Sequence, residues 1–332
     1  MKKIGLLYGM EQSFPPALID KINSKNQQNL IAETIKVGGF KMNDMIEYDI
    51  ILDRVSHEVP FYRSLLKLAS INGTRIINNP FLKSADDNFF HTALATKMGI
   101  NVPKTVILPS KEHPVGTSSE TMKNLKFPLE WDEIFNYIGF PAYLKPNIEG
   151  ATMNEYKVYN PHEFFSAYDL TGSSSMLLQE SIETQEYFKC FAIGNKYVKI
   201  MKFDPSKPYH HRYPTENPVI DKELSSEIEK VSLKINATFR FEFNAVEFAL
   251  FKGKPYIVDF LNPAPKCELS LLHKDNFDWL VEATAEYLIE LSKEKRNPKP
   301  LENWIPYIST QESDVIKPKA VKKSTKKKTE IK

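Results

Sequence analysis

The chain has no run of about eighteen uncharged apolar residues, which excludes a helical membrane span. Its two cysteines, Cys190 and Cys267, stand far apart and without metal-ligand spacing. That excludes a disulfide framework and a cysteine-rich zinc site, and makes a reducing cytoplasm the expected setting. No GxGxxG follows a strand-like run, so a dinucleotide fold would lack its phosphate fingerprint. No Ser-His-Asp or Cys-His signature points to a protein nucleophile. The opening MKKIGLLYGMEQSF places lysines before an apolar run, yet the run stops at Gly9 and no small-x-small cleavage site follows. It reads as a first β-strand and not as a leader.

What is present is ordinary for a soluble globular protein, with 42% hydrophobic and 26% charged residues. The 332 residues suit two or three modest domains. The net charge of +2 conceals an asymmetry. The last sixteen residues, KPKAVKKSTKKKTEIK, carry +7, which leaves about −5 on the remainder. Such a lysine-rich segment cannot bury enough apolar surface to fold and is expected to be disordered. A solubilising terminus is the preferred reading, and contact with nucleic acid through phosphates the alternative.

Residues 1–83 alternate strand and helix signals. KIGLLYG, ETIKV, YDIILDRVS and TRIIN read as strands, while PPALIDKINSK and PFYRSLLKLASING read as helices, the second stopped by Asn72-Gly73. This is a small α/β unit with a parallel sheet. A helix from Ser84 through ADDNFFHTALATKMG stops at Gly99. IGFPAYLKP, KVYN, SMLLQESI, EYFKCFAIGNKYVKIMKF and NAVEFALFKGKPYIVDF then read as short antiparallel strands, and NFDWLVEATAEYLIELSKEK as an amphipathic helix. The fold class is therefore mixed α/β and α+β.

One hairpin carries chemistry. NAVEFALF and PYIVDFL flank Lys252-Gly253-Lys254, and a three-residue loop there sets Glu247 opposite Asp259. Two carboxylates so paired repel unless one is protonated or a cation lies between them. Asn262 adds an amide oxygen, which completes a hard donor set suited to Mg2+ (or Mn2+). A surface pair of acids bonded to lysines is the competing reading. Asn262 joins Asp259 only if the strand bulges or breaks at Phe260-Leu261, because residues three apart on a regular strand face opposite sides. Lys145 ends an apolar strand and precedes a small-residue turn, which suits a phosphate contact. Gln179 and Glu180 end another strand.

In order along the chain, these pieces form a series that resembles the ATP-grasp superfamily, over residues 84–291. DN(x)10GINVPKT resembles its first helix and strand, and FPAYLKP its lysine-bearing strand. LLQESI resembles the hinge between its lids, YFKCFAIGNKYVKIMKF its DIR strand pair, and NAVEFALFKGKPYIVDFLNPAP its metal-binding hairpin. The resemblance implies a module of residues 84–300 with two antiparallel-sheet lids. Its lid part spans about 105–180 and its C-terminal part about 181–300; the 1–83 unit precedes it, and 301–332 is an extension. It implies ATP held between the lids, phosphates on Lys145, and adenine on the hinge segment Gln179, Glu180, Ser181 and Ile182. It also implies metal on Glu247, Asp259 and Asn262.

Arg212, in FDPSKPYHHRYP, falls where such ligases place an arginine on the transferred phosphate or substrate carboxylate. His210 and His211 beside it are expected to face solvent, and Lys199 or Lys202 to face the triphosphate. Arg54 and Ser56, after a parallel strand, are candidates for the acceptor site. The expected reaction joins a carboxylate to an amine through an acylphosphate, with small-molecule or peptide substrates. A small-molecule kinase and a non-catalytic ATP-binding protein are the alternatives, and a homodimer is left open. Departures from the pattern are Asn88 where a lysine is usual, Gly150 alone in the lid loop, and Tyr187 and Lys189 in place of the acid and arginine of DIR.

Overall fold

The computed structural model describes residues 1–294, apart from 26, 82–86, 119, 149–154, 217, 261 and 263. The loop around Gly150, the start of the Ser84 helix and the lysine-rich tail lie outside the described residues. Three four-stranded sheets organise what is described. The first is parallel, in the order β2-β1-β3-β4, with β1 (Lys2–Leu7), β2 (Leu30–Thr34), β3 (Ile50–Asp53) and β4 (Arg75–Ile77). Helices α1 (Phe14–Ser24) and α2 (Pro60–Ile71) each begin with proline in the first turn, where its missing N–H costs nothing. The ETIKV reading places β2 too late. Asn29, at φ 63°, turns the chain so that Leu30 pairs with Lys2, and the ladder ends at Thr34.

The second sheet, β5-β8-β6-β7, is antiparallel and comprises β5 (Thr105–Leu108), β6 (Ala142–Pro146), β7 (Tyr156–Val158) and β8 (Met176–Glu180). Strand alternation divides it cleanly. Ala142, Leu144, Val158, Met176 and Leu178 pack under α4 (Trp131–Ile138) and α5 (Pro161–Tyr168) in an aromatic-rich core. Tyr143, Lys145 and Gln179 are thereby left on the opposite face. Helix α3 (Asn88–Lys97) leads into this sheet, and the Asp87 carboxylate caps it by accepting from the Phe90 amide.

The third sheet is antiparallel, in the order β10-β9-β11-β12, with β9 (Tyr187–Ile193), β10 (Tyr197–Phe203), β11 (Phe243–Phe251) and β12 (Lys254–Asp259). Both of its faces are buried. Phe191, Met201, Phe243 and Ala245 share a core with α1, α7 (Leu269–Lys293) and the first sheet. Cys190, Val246, Phe248 and Ile257 pack against α3 and α6 (Lys222–Phe239). A sheet covered on both sides leaves a charged residue few outlets; Asp259 stands at the end of β12, opposite Glu247 in the middle of β11. Among the described residues no helix is long and apolar enough to cross a membrane.

The β11–β12 hairpin delivers the expected pairing by a different route. Phe251 pairs directly with Lys254, so the turn has two residues, Lys252 and Gly253, at φ 51° and 75°. Positive φ at both central positions marks the I′ turn, whose twist matches that of the strands. Phe248 pairs with Ile257 and Glu247 with Asp259, so Val258 is a β-bulge. The bulge supplies the one-residue offset that a three-residue loop was expected to give.

Candidate functional site

A cleft of about 450 Å³ opens between the second and third sheets. This size is usual for a small-molecule site. Lys145 and Tyr143 of β6 and Gln179 and Glu180 at the end of β8 contribute from one side. Glu247 of β11 and Asp259 of β12 contribute from the other. Ile182, Tyr187 and Pro205 complete the wall near the link between the sheets. Six residues singled out from the sequence therefore converge on one space.

Charge at the inner end is set by three neighbouring strands. Lys189 pairs with Glu247 across β9 and β11, and Glu247 with Asp259 across β11 and β12. Lys189 Nζ lies 2.6 Å from Glu247 Oε1. Burial works against the Lys189 ammonium, but the charge and hydrogen bond of Glu247, with help from Tyr213 and Asp259, outweigh it and hold the pKa above the usual lysine range. Asp259 moves the other way for an acid. Burial and then the Glu247 charge push its carboxyl up to about 6, against the opposing pull of Lys189 and Lys145. A carboxylate that pays this cost beside a second one has the electrostatic character of a cation site.

The donor set fits a hard divalent cation: two carboxylates opposite each other, with room for water and phosphate oxygens. Among the described residues no group of three His, Cys, Asp or Glu comes together to hold a metal, so oxygens from other sources would have to complete the shell. Asn262 is the sequence-derived candidate, but it is not among the residues lining the cleft. Its surroundings are nevertheless built with care. The β12 ladder stops at Asp259, and the side chain of Asn244 replaces it: Nδ2 donates to the Phe260 carbonyl at 3.0 Å, and Oδ1 accepts the Asn262 amide at 2.8 Å. Asn244 is held in turn by Asn236 Oδ1 at 2.9 Å. The strand thus ends one residue before the expected Phe260-Leu261 break, and Leu261 itself lies outside the described residues. Asn244→Ala removes three buried hydrogen bonds and should cost about 2–3 kcal/mol of stability, measured by urea unfolding.

The hinge segment is more occupied than expected. The Glu180 amide donates to Lys104 O and the Ser181 amide to Pro141 O. Those two donors are therefore committed to holding β8 in place. The Gln179 amide group donates to Thr105 Oγ1 at 2.8 Å, and Glu180 Oε2 accepts from the Lys104 amide at 3.2 Å. Ser181 donates to Glu183 and does not line the cleft.

Other candidates from the sequence are not among the residues that line the cleft. Lys199 and Lys202 lie on the edge strand β10; Lys199 stands over Trp279, and Lys202 is 3.8 Å from Glu186. Arg212 caps a short 3-10 turn, Tyr209–His211, and donates to Lys207 O, while its own carbonyl accepts from the amide of Asp204, next to the cleft-lining Pro205. His210 and His211 are exposed, as expected. Arg54 is buried in an ion pair: Nε and Nη2 grip Glu11 at 3.0 and 2.5 Å, and Nη2 also donates to Pro265 O. Its guanidinium lies 5.2 Å from the centres of both the Phe14 and the Phe243 ring, which pack against each other. Ser56 is buried and donates to Asp53. Arg54 bolts the end of β3 to the loop after β12, while Ser56 folds back onto the end of β3. A parallel strand end is as good a place for such a bolt as for a ligand, and the sequence does not separate the two.

Asn88, Tyr143, Glu155 and Val258 also line the cleft. Asn88 was noticed only as a missing lysine, although its position at the start of α3 was a usable signal. Tyr143 sits two residues before Lys145 and so had to share its face.

No protein-family model matches the chain. Among curated proteins it is similar to the D-alanine–D-alanine ligase of Prochlorococcus marinus (strain AS9601), 28% identical over 144 residues, or 39% of this chain and 40% of that one. The chain thus spans about two fifths of the length of the curated relatives it matches. Its structure is similar to that of a RimK domain ATP-grasp protein from Sphaerobacter thermophilus, with TM-score 0.63 and 15% identity over 86% of this chain and 99% of the other. It also resembles the D-alanine–D-alanine ligase of Bacillus anthracis complexed with ATP, with TM-score 0.60 and 17% identity over 88% and 98%. At such identities what is shared is the fold.

Proposed function

We propose that this chain, with its ATP-grasp fold, is an ATP-dependent ligase that joins a carboxylate to an amine. The carrying observation is the convergence of Lys145, Glu247 and Asp259 with the β8 end in one cleft between two antiparallel sheets. Both similar ligases and the ATP held by one of them support the reading. In this reading Ile182, Tyr143 and Gln179 bound the nucleobase end, and the triphosphate runs inward toward the charged row.

Lys145 places a positive charge beside the phosphates and offsets the charge that develops on the transferring phosphoryl group. The substrate carboxylate attacks the γ-phosphorus and ADP leaves, giving an acylphosphate. The amine then attacks the acyl carbon, the C–O bond to phosphate breaks, and the amine loses a proton. Mg2+ or Mn2+, when bound, would be held by Glu247 and Asp259, with Asn262 the further candidate, and would neutralise phosphate charge as a Lewis acid. The cleft walls hold the two oxygens of Glu247 and Asp259 where such charge is needed and exclude bulk water from the inner end. The D-alanine–D-alanine ligase relatives make a small amino acid the first acceptor to try. The two cysteines, buried free thiols, agree with a cytoplasmic setting.

The reading is tested by ADP release across a panel of amino acids and short peptides. Free phosphate should appear only when both a carboxylate and an amine substrate are present. A phosphorylated product stable without amine would instead make the protein a kinase. Lys145→Ala should lower kcat/KM by roughly 10²–10³-fold with little change in melting temperature, because Lys145 is partly exposed and lines the cleft.

A further inference from the structure

The row of charges across β9, β11 and β12 holds more than a metal site requires. Lys189, Glu247 and Asp259 stand side by side on three adjacent strands, one positive group beside two negative ones. Lys189 is 9% exposed, and its ammonium lies 5.8 Å from the centre of the Phe203 ring. Its ammonium lies 2.6 Å from a Glu247 oxygen, its partner in the fold. That oxygen is also one the divalent cation would use.

We infer that Lys189 is a positioning residue that acts as an internal counter-ion, occupying Glu247 so that a divalent cation enters the cleft only together with nucleotide. The inference rests on the reading of the cleft as a nucleotide–metal site. With Lys189 in place, the two carboxylates present at most one net negative charge to an incoming cation. That is a weak site for a hydrated Mg2+ or Mn2+ ion, which gives up its water reluctantly. ATP brings the missing negative charge on its phosphates. Lys189 is not among the residues that line the cleft, so it keeps its bond to Glu247 while the phosphates supply the remaining negative charge from the cleft side. The chain would thus avoid loading metal onto an empty site, and it would do so by charge balance without moving a lid.

Mn2+ binding to the full chain, followed by electron paramagnetic resonance with and without a non-hydrolysable ATP analogue, tests this. Wild type should bind Mn2+ weakly alone and tightly with the analogue. Lys189→Met should bind Mn2+ alone about tenfold or more tightly than wild type, because an opposing charge a few ångströms away is gone. Lys189→Gln keeps a hydrogen-bond donor near Glu247 and should show the same gain if the methionine variant does not fold. Lys189→Arg restores the charge and should restore weak binding. Nucleotide-free affinity unchanged in both neutral variants, with nucleotide-dependent binding intact in wild type, overturns the role of Lys189 alone. Wild type that binds no Mn2+ even with the analogue overturns the nucleotide–metal reading and this inference with it.

Discussion

Asp259→Asn should nearly abolish turnover and, in the same protein without metal, raise the melting temperature at neutral pH. The two effects have one cause. Burial and the adjacent Glu247 charge push the Asp259 carboxyl from 3.8 up to about 6. A raised carboxyl pKa means that the folded state binds its proton more tightly than the unfolded chain does. Above pH 6 the proton is gone from both states and the folded protein bears the full cost of a buried anion. Below about pH 4 both states are protonated and the cost vanishes. Wild-type stability should therefore fall as pH rises from about 4 to 6, by something on the order of 2 kcal/mol, and then level off. Asparagine carries no charge, so its advantage should appear above pH 6 and fade toward pH 4. A denaturation series from pH 4 to 8 reads this directly. Turnover of the variant should drop by roughly 10²–10³-fold, since a charge aimed at the reacting group is removed. A variant less stable than wild type at pH 7 would show that Asp259 is held by favourable contacts, and the cation-site reading would lose its electrostatic support.

Glu11→Ala should unfold the protein far more readily, by about 3 kcal/mol, without acting through the chemistry. Arg54 is almost wholly buried, and among the described residues Glu11 is its carboxylate partner. Removing that partner strands a guanidinium beside two phenylalanine rings, and breaking one side of a buried pair is costly for this reason. The double replacement Arg54→Met with Glu11→Leu removes the stranded charge and should recover much of the loss. Urea denaturation of the single and double variants measures both. The acceptor role expected for Arg54 from sequence predicts a different pattern, in which an Arg54→Met variant retains stability and loses substrate affinity. Any variant with Arg54→Met also loses the Nη2 donor to Pro265 O, so recovery in the double variant should be incomplete.

The contrast between these two sites shows what the sequence could reveal. Lys145, Glu247 and Asp259 were legible because strand alternation and hairpin pairing are short-range rules, and a charge on an apolar strand stands out against them. The parallel sheet and the antiparallel strands followed from the same local patterns, and the division of those strands into two sheets from the resemblance. Arg54 was misread because its partner, Glu11, lies forty-three residues away, and its other contact, Pro265, lies two hundred and eleven away. No local pattern encodes such a pairing. The Lys189–Glu247 bond was invisible for a related reason: the order of strands, not the sequence of either one, brings them side by side. Asn244 gave no signal at all, because an asparagine on a strand has many uses and only its bonds to residues 260 and 262 reveal this one. Lys199 and Lys202 were a matter of position in the sheet, since β10 is the edge opposite β12, whose Asp259 lines the cleft.

The Val258 bulge makes the chemistry of this hairpin depend on parity. With the Lys252-Gly253 turn alone, Glu247 would stand opposite Val258, and Asp259 would project from the other side of the sheet. One odd residue restores the acids to a common side. A relative could keep the site with a turn one residue longer and no bulge, or with this turn and this bulge, but not with one change alone. Deleting Val258 would bring Asp259 directly after Ile257 and so opposite Glu247 in a regular ladder, whereas one further residue inserted beside Val258, with a single bulge kept, would carry Asp259 to the far side of the sheet. In this hairpin the match between residue count and bulge, more than residue identity, decides whether two acids meet.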